Sequence, residues 1–217
     1  YKSVEHDMTD RKLHWDDVFR SKSPHEVSWT QDVPRTSLGM IRQLKLPKTA
    51  QVIDVGGGDS KLVDNLLDEG FTNISILDIS GEALEKVKYR LGKRASLVKW
   101  IVSDILDFNP SIKYDLWHDR AAFHFLTEAD EVRKYVNIAT RHISGYLTIA
   151  TFSDEGPDKC SGLSVKQYSE ELLQKELSQG FKKIKCIKRD HTTPIQTRQN
   201  FLFCTFKKSQ NYTRSVN

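Results

Sequence analysis

Four aspartates lie at or close to the carboxyl ends of short, mostly apolar runs, and together they favour a ligand that carries positive charge and hydroxyl groups. The four are Asp54, Asp78, Asp104 and Asp119. The apolar runs before them have the composition of buried strands, and open parallel sheets bind ligands at the carboxyl ends of their strands. Carboxylates there would repel a pyrophosphate, but they attract a cation and accept hydrogen bonds from ribose hydroxyls.

A glycine-rich turn follows the first of these runs. Residues 51–60 read QVIDVGGGDS, a β-branched apolar run, then three glycines and the start of a helical pattern. Glycine permits positive φ and brings backbone N–H groups close to a ligand. A dinucleotide fingerprint would need glycine in place of Lys61, and a phosphate-binding loop would need Gly-Lys-Ser/Thr, so both phosphate-binding motifs fit poorly.

Asp78 has the spacing expected of a ribose-binding acid. It lies twenty residues beyond Gly58, and an acid near that spacing hydrogen-bonds ribose hydroxyls in dinucleotide-binding sheets. The alternative is that its carboxylate caps the next helix. Ser80 is better placed for that cap, which favours the ribose role.

Two motifs resemble those of a known superfamily. The pattern Asp54-x-Gly56-x-Gly58-x-Ser60 resembles motif I of class I S-adenosylmethionine-dependent methyltransferases, with Ser60 in place of the commoner third glycine. Residues 119–126, DRAAFHFL, resemble the D-R-x-x-x-H-x-L of many small-molecule methyltransferases. The resemblance extends from Trp15 to Phe206. It implies transfer of a methyl group from S-adenosyl-L-methionine to an oxygen, nitrogen or sulfur acceptor by in-line displacement, with S-adenosyl-L-homocysteine as product.

The same resemblance implies which residues bind the cofactor. Asp104 would accept from the adenine amine while Ile105 covers a face of the ring. Trp29 would belong to a lid over the cofactor, as in thiol, thiopurine and some protein-lysine methyltransferases. The full expected set is Trp29, Asp54, Gly56, Gly57, Gly58, Asp78, Ile79, Asp104, Ile105 and Asp119.

A general base is required only if the acceptor arrives protonated. Three side chains near the end of the fourth strand are candidates, namely His124, His118 and Asp119. Histidine is favoured because its unperturbed pKa lies near neutrality. The alternative for His124 is a structural histidine buried beneath the sheet edge.

Alternating strand and helix patterns through residue 150, followed by a helix and two more strands, predict an α/β fold. We expect a doubly wound, mostly parallel sheet with helices on both faces, a three-layer α-β-α sandwich. The resemblance implies seven strands in the order 3-2-1-4-5-7-6. One domain is expected over residues 1–217, with an N-terminal helical lid over 1–46, a Rossmann-like core over 47–206 and a polar tail over 207–217.

The carboxyl-terminal part is predicted in four pieces. Residues 153–164 contain two glycines and a proline without an apolar period, which predicts a substrate-facing loop. A helix is expected over residues 165–177. Residues 181–188 and 200–206 are expected to form an antiparallel pair.

Composition excludes several classes of function. With 33 basic and 29 acidic residues, the charge is nearly balanced, and no continuous basic stripe suggests nucleic-acid binding. The basic run over residues 182–189 is expected to be a solvated strand face. We find no apolar span or secretory signal, so a cytoplasmic protein without membrane contact is expected. The chain starts at Tyr1 rather than Met, which leaves a removed leader open.

The three cysteines lack metal-ligand or C-x-x-C spacing. Cys160, Cys186 and Cys204 are therefore predicted to be reduced thiols in an intracellular protein, and no metal site is expected.

Three functions from different classes agree with these patterns. A small-molecule methyltransferase is favoured, because one compact domain with a tryptophan lid and a mid-length loop could close over a small acceptor. A protein-lysine methyltransferase of the same fold would need an open acidic groove. The third is a non-catalytic module that binds S-adenosylmethionine. The acceptor and the oligomeric state are not readable from the sequence.

Overall fold

A computed structural model of the protein describes residues 2–23, 26–193 and 196–210. Within them, seven strands form one sheet in the order β3-β2-β1-β4-β5-β7-β6. The first five strands are parallel, whereas β7 runs antiparallel to both β5 and β6. The predicted strand order is confirmed. The strands are β1 Gln51–Val55, β2 Asn73–Asp78, β3 Val98–Val102, β4 Tyr114–Arg120, β5 Ile143–Phe152, β6 Phe181–Thr192 and β7 Arg198–Lys208.

Helices cover both faces of this sheet. Successive residues of a strand point to opposite faces, and in β1 both Val52 and Ile53 are fully buried. Val52 belongs to the core formed with α2, α3 and α4, and Ile53 belongs to the core formed with α5 and α6. The three-layer sandwich is therefore confirmed. The helices are α1 Lys2–Ser21, α2 Arg35–Gln43, α3 Leu62–Asp68, α4 Gly81–Leu91, α5 Ala129–His142 and α6 Glu170–Leu177.

Local sequence explains two of the helix ends, the start of α4 and the end of α3. Ser80 caps α4, because its hydroxyl accepts a hydrogen bond from the Ala83 N–H at 3.2 Å. Gly70 follows α3 with φ of +85°, the left-handed conformation that glycine adopts at a helix C-terminus without strain. Both ends agree with the sequence pattern. Ser80 fixes the start of α4 at the edge that carries the acids, and Gly70 ends α3 at the opposite edge, before β2.

The helix predicted over residues 165–177 begins later than expected. α6 starts at Glu170, because the Ser169 hydroxyl accepts from the Leu172 N–H at 3.2 Å and caps it. The preceding residues are extended instead. Tyr168 is buried, and its N–H donates to the Phe152 carbonyl at 3.0 Å. This extended segment leads the chain away from the end of β5.

The strands β6 and β7 are longer than predicted, and they correct the assignment of the cysteines. Antiparallel pairing places Cys186 opposite Cys204 with their Cα atoms 4.1 Å apart, and the two form a disulfide. The prediction of three reduced thiols is wrong for this pair, because sequence spacing does not give the register of a hairpin. Cys160 is the free cysteine, and it is buried. β7 takes up the first two residues of the predicted tail, and residues 211–217 lie outside the described part.

The basic run forms part of β6, which is an edge strand of the sheet. Lys182 and Lys185 are exposed, and the Lys188 ammonium pairs with Asp154 and Glu155 at 2.7 and 2.6 Å. Charged side chains on an edge strand oppose pairing with other chains. Across residues 2–23, 26–193 and 196–210, no helix combines the length and apolar character needed to cross a membrane.

A bulge between β4 and β5 generates a first prediction. The register shifts there, and a Cβ on Gly145 would lie 2.3 Å from the Asp115 carbonyl oxygen. We expect Gly145→Ala to lower the free energy of unfolding by about 1–3 kcal/mol, the usual cost of overpacking. Gly39→Ala in α2 is the control, because its Cβ meets nothing within 4 Å and should stabilise by about 0.5–1 kcal/mol. Urea denaturation measures both, and equal stability of the two variants would contradict the prediction.

Candidate active site

A cavity of about 1110 Å³, counting its open mouth, lies at the carboxyl ends of β1, β2 and β4. Nearly all the residues that the sequence predicts for the cofactor line it. They are Trp29, Asp54, Gly56, Gly57, Gly58, Asp78, Ile79, Asp104 and Ile105.

The glycine turn forms one wall of the cavity and has no room for side chains. Gly56 and Gly58 have φ of +63° and +48°, which favours glycine. A Cβ on Gly56 would lie 2.5 Å from Cβ of Ala122, and one on Gly57 would lie 2.6 Å from Cγ2 of Ile76. The turn therefore presents bare backbone to the cavity.

Asp78 is held rigidly at the end of β2. Its Oδ2 accepts from the Gly58 N–H and its Oδ1 from the Ser80 N–H, both at 2.8 Å. Burial raises the pKa of this carboxyl to about 6, although the two N–H bonds oppose the shift. A carboxylate has about four acceptor positions, so each oxygen retains capacity for a ligand hydroxyl.

Asp104 lies at the same edge, beyond the end of β3. Its Oδ1 accepts from the Leu106 N–H at 2.8 Å, which begins a short 3-10 turn. Burial raises the pKa of this carboxyl, and the charge of Arg11 partly offsets the effect. With Asp104 and Ile105 both lining the cavity, a polar acceptor lies beside an apolar surface, an arrangement that suits a heterocyclic base.

A buried hydrogen-bonded chain crosses the floor of the cavity. His118 lies opposite Asp54 in the parallel register of β1 and β4, and its Nδ1 is 2.7 Å from Oδ1 of Asp54. Its Nε2 is 2.9 Å from the Ser37 hydroxyl of α2. A carboxylate oxygen accepts, so Nδ1 carries a proton and donates to Asp54, while Nε2 shares a hydrogen bond with the Ser37 hydroxyl. His118 lines the cavity, but both of its nitrogens are engaged.

His124 does not line the cavity. Its ring is fully buried against Phe125 and Phe152, and Nδ1 accepts from the Phe152 N–H at 3.2 Å. Burial first, and then the charge of Arg120, lower its pKa to about 3. The structure thus corrects the expectation of a base at this position. A neutral ring closed in by aromatic side chains has no path to an acceptor.

Asp119 is also outside the cavity. Its Oδ2 accepts from the Tyr135 hydroxyl at 2.7 Å, and its Oδ1 accepts from the N–H groups of Ala122 and Phe123 at 3.1 Å each. The side chain is fully buried, which raises its pKa to about 6. Neither the base role nor the cofactor role fits this placement. Asp119 instead shapes the turn after β4, where Ala121 has φ of +67°.

An aromatic lid covers the glycine turn, and we use this name for Trp15, Phe19 and Trp29. Trp29 packs edge-on against Trp15 and Phe19 at centroid distances of 5.9 and 5.8 Å. Its Nε1 donates to Oδ1 of Asp59 at 3.2 Å. Trp15 also packs on Phe125 at 5.1 Å, so the lid joins α1 to the segment after β4.

α1 is anchored next to the site by polar contacts with α4. Oδ1 of Asp16 accepts from the Ser80 hydroxyl at 2.7 Å, and Arg20 pairs with Glu82 at 3.0 Å. Ser80 is the residue that also caps α4 and donates to Asp78. The lid and Asp78 are therefore positioned by one short segment.

Several cavity residues were missed by sequence reasoning. Gln199 and Phe201 come from β7, Cys160 from the loop after β5, and Ser28 from the lid segment. Of these segments, the sequence predicted a ligand-facing role only for the loop over residues 153–164, because of its length. Arg120 was part of a recognised motif but received no role. Among the described residues, no group of three or more His, Cys, Asp or Glu side chains is arranged to hold a metal ion.

Comparison with known proteins identifies the domain. Residues 52–144 match a family model described as a methyltransferase domain. Over these residues the chain carries a class I S-adenosylmethionine-dependent methyltransferase domain. The resemblance inferred from the glycine turn and its acids is confirmed, and so is the cofactor it implies.

The curated relatives of this domain include O-methyltransferases. Malonyl-[acyl-carrier protein] O-methyltransferase 1 of Ilyobacter polytropus is 30% identical over 111 residues, covering 50% of this chain and 40% of the relative. The chain thus spans less than half the length of that curated relative.

Solved structures share the fold of this domain. A structure from work on converting a disulfide bond into a thioacetal group during echinomycin biosynthesis superimposes with a TM-score of 0.74 at 19% identity, covering 92% of this chain and 94% of the other. The 1,6-didemethyltoxoflavin-N1-methyltransferase of Burkholderia thailandensis, with 1,6-didemethyltoxoflavin and S-adenosylhomocysteine bound, superimposes with a TM-score of 0.65 at 17% identity, covering 95% of this chain and 87% of the other.

The contacts of Asp78 generate a second prediction. Asp78→Asn should weaken S-adenosylhomocysteine binding by about 1–3 kcal/mol, the scale of a hydrogen bond to a charged group. Asp68→Asn is the control, because Asp68 is the last residue of α3 and lies away from the cavity. Its exposed carboxylate forms a salt bridge with Arg94. Calorimetric titration measures both variants. Wild-type affinity in Asp78→Asn would exclude this carboxyl from the site.

The raised pKa of Asp78 generates a third prediction. Below pH 6 the carboxyl of the free protein is protonated, and ligand hydroxyls bind the carboxylate form, so binding must then release a proton. We expect the affinity for S-adenosylhomocysteine to fall as pH drops from 7 through about 6 and to level off above it. Calorimetric titrations across this pH range should show that the affinity depends less on pH in Asp78→Asn than in the wild type. An identical slope in the variant would assign the effect to another group.

Proposed function

We propose that this chain transfers the methyl group of S-adenosylmethionine to a small-molecule acceptor. One observation carries the proposal: the cavity continues past the nucleoside-binding acids into a region lined by Trp29, Phe125 and Phe201. A cofactor alone does not need this second region. Its aromatic lining suits a small acceptor that is shielded from water.

The cofactor is proposed to lie along the sheet edge from β3 towards β4. Asp104 and Ile105 bind the adenine, and Asp78 accepts from the ribose hydroxyls. The bare backbone of Gly56–Gly58 approaches the methionyl part, with Asp54 beneath it. In this orientation the sulfonium faces the aromatic region.

The reaction is proposed to be an in-line displacement at the methyl carbon. The leaving thioether is neutral, so alignment of acceptor and sulfonium, together with exclusion of water, supplies most of the acceleration. The lid formed by Trp15, Phe19 and Trp29 provides the exclusion. His118 acts as a positioning residue, because it holds Asp54 through Nδ1 and is itself held by Ser37.

The names of related proteins support a small acceptor. One relative is named for methylation of a malonyl group on acyl-carrier protein, and one structural neighbour for N1-methylation of a toxoflavin precursor. The aromatic lid also favours this class over a protein-lysine acceptor, because a protein side chain would need an open channel past Trp15 and Trp29.

Radiolabelled methyl transfer into a cell extract tests the proposal. The expected result is label in the small-molecule fraction, reduced with Asp78→Asn at subsaturating S-adenosylmethionine because cofactor binding is weaker. Label confined to proteins would instead identify a protein methyltransferase. If S-adenosylhomocysteine binds but neither fraction gains label, the chain is a non-catalytic binding module.

A further inference from the structure

Arg120 is a cationic side chain that borders the cavity, and only some of its N–H donors form hydrogen bonds. It is the last residue of β4 and lines the cavity. Nη1 donates to the Trp29 carbonyl at 3.0 Å. Nε and Nη2 are buried, and neither has a hydrogen-bond partner among the residues that the structure describes. The side chain therefore has two donors without acceptors beside the proposed acceptor region.

The surroundings compensate this charge only weakly. The guanidinium lies over the Phe201 ring at 5.4 Å. Burial lowers the pKa of Arg120 to about 10, and the charges that oppose this are those of Asp54 and Cys160. Asp54 already bonds His118, and burial raises the pKa of the Cys160 thiol, which keeps it neutral. A buried charge without a paired anion is unfavourable.

We propose that Arg120 binds a carboxylate carried by the methyl acceptor, an inference that rests on the proposed function. The two unpartnered nitrogens, Nε and Nη2, form one edge of the guanidinium plane. This edge donates two parallel hydrogen bonds, and a carboxylate presents two oxygens at the matching separation. Such a pair fixes both the position and the orientation of the acceptor.

The neighbours of Arg120 favour the acceptor over the methionyl end of the cofactor as the source of this carboxylate. The nucleoside-binding acids Asp78 and Asp104 follow β2 and β3, on one side of β1. Arg120 ends β4 on the other side. Its neighbours Trp29 and Phe201 come from the lid and from β7.

The lining around Arg120 describes the rest of the acceptor. Trp29, Phe125, Phe152 and Phe201 all border the cavity, and aromatic surfaces bind apolar and aromatic bodies. The acceptor class is thus an aromatic or apolar carboxylic acid. Because Nε and Nη2 have no exposed surface, the segment of Trp29 or the ring of Phe201 shifts when the acid binds.

Matched acids and amides test this inference on the protein saturated with S-adenosylhomocysteine. The probes are benzoate with benzamide and phenylacetate with phenylacetamide, titrated by calorimetry. We expect at least one acid to bind tenfold or more tightly than its amide. Arg120→Met should abolish that difference, Arg120→Lys should keep part of it, and the control Arg94→Met on the surface should keep all of it.

Two results would overturn the inference. One is equal binding of acid and amide in both pairs, or an acid preference that survives in Arg120→Met. The other is a tenfold loss of S-adenosylhomocysteine affinity in both Arg120 variants, which would assign the guanidinium to the carboxylate of the cofactor. An unchanged cofactor affinity shows that a variant is folded. Calorimetry measures binding and requires no methyl transfer. If the acids bind as expected but the radiolabelled transfer assay fails, the result counts against the proposed function and not against acid binding by Arg120.

Discussion

The buried chain from Ser37 through His118 to Asp54 is the interaction on which the site depends. It connects α2, β4 and β1 at distances of 2.9 and 2.7 Å. Each group would be costly to bury alone, since an unpaired polar group in a protein interior costs about 1–3 kcal/mol. Joined together, they fix the Asp54 carboxylate between the other cavity acids, Asp78 and Asp104, and the aromatic region. The glycine turn can then pack tightly, because the strand that leads into it cannot move.

Charge is distributed unevenly around this junction. Acids lie at the ends of β1, β2 and β3, whereas a cation with unpaired donors lies at the end of β4. In a site of low dielectric, such a separation matters more than it would in water. The acidic side suits hydroxyl and amine donors together with a sulfonium. The cationic side suits an anion, so in the proposed arrangement charge as well as shape would separate the cofactor from the acceptor.

Burial explains why similar side chains have different roles here. Asp78 and Asp119 both have pKa values raised to about 6 by burial. Asp78 keeps acceptor capacity towards the cavity, whereas Asp119 is surrounded by Tyr135 and two backbone N–H groups. The sequence places both aspartates at strand ends without separating them. Their difference arises from packing by α5, which lies many residues further along the chain.

The sequence by itself determined the parallel sheet, the glycine turn and the placement of Asp54, Asp78 and Asp104 at one edge. These features follow from local patterns, because β-branched runs, glycines and helix caps act over a few residues. Only the tertiary structure decided that His124 is buried, that Cys186 bonds Cys204 and that Phe201 meets Arg120. Each of these depends on strand register or on contacts between distant segments, and side-chain patterns along one segment do not encode where another segment will pack.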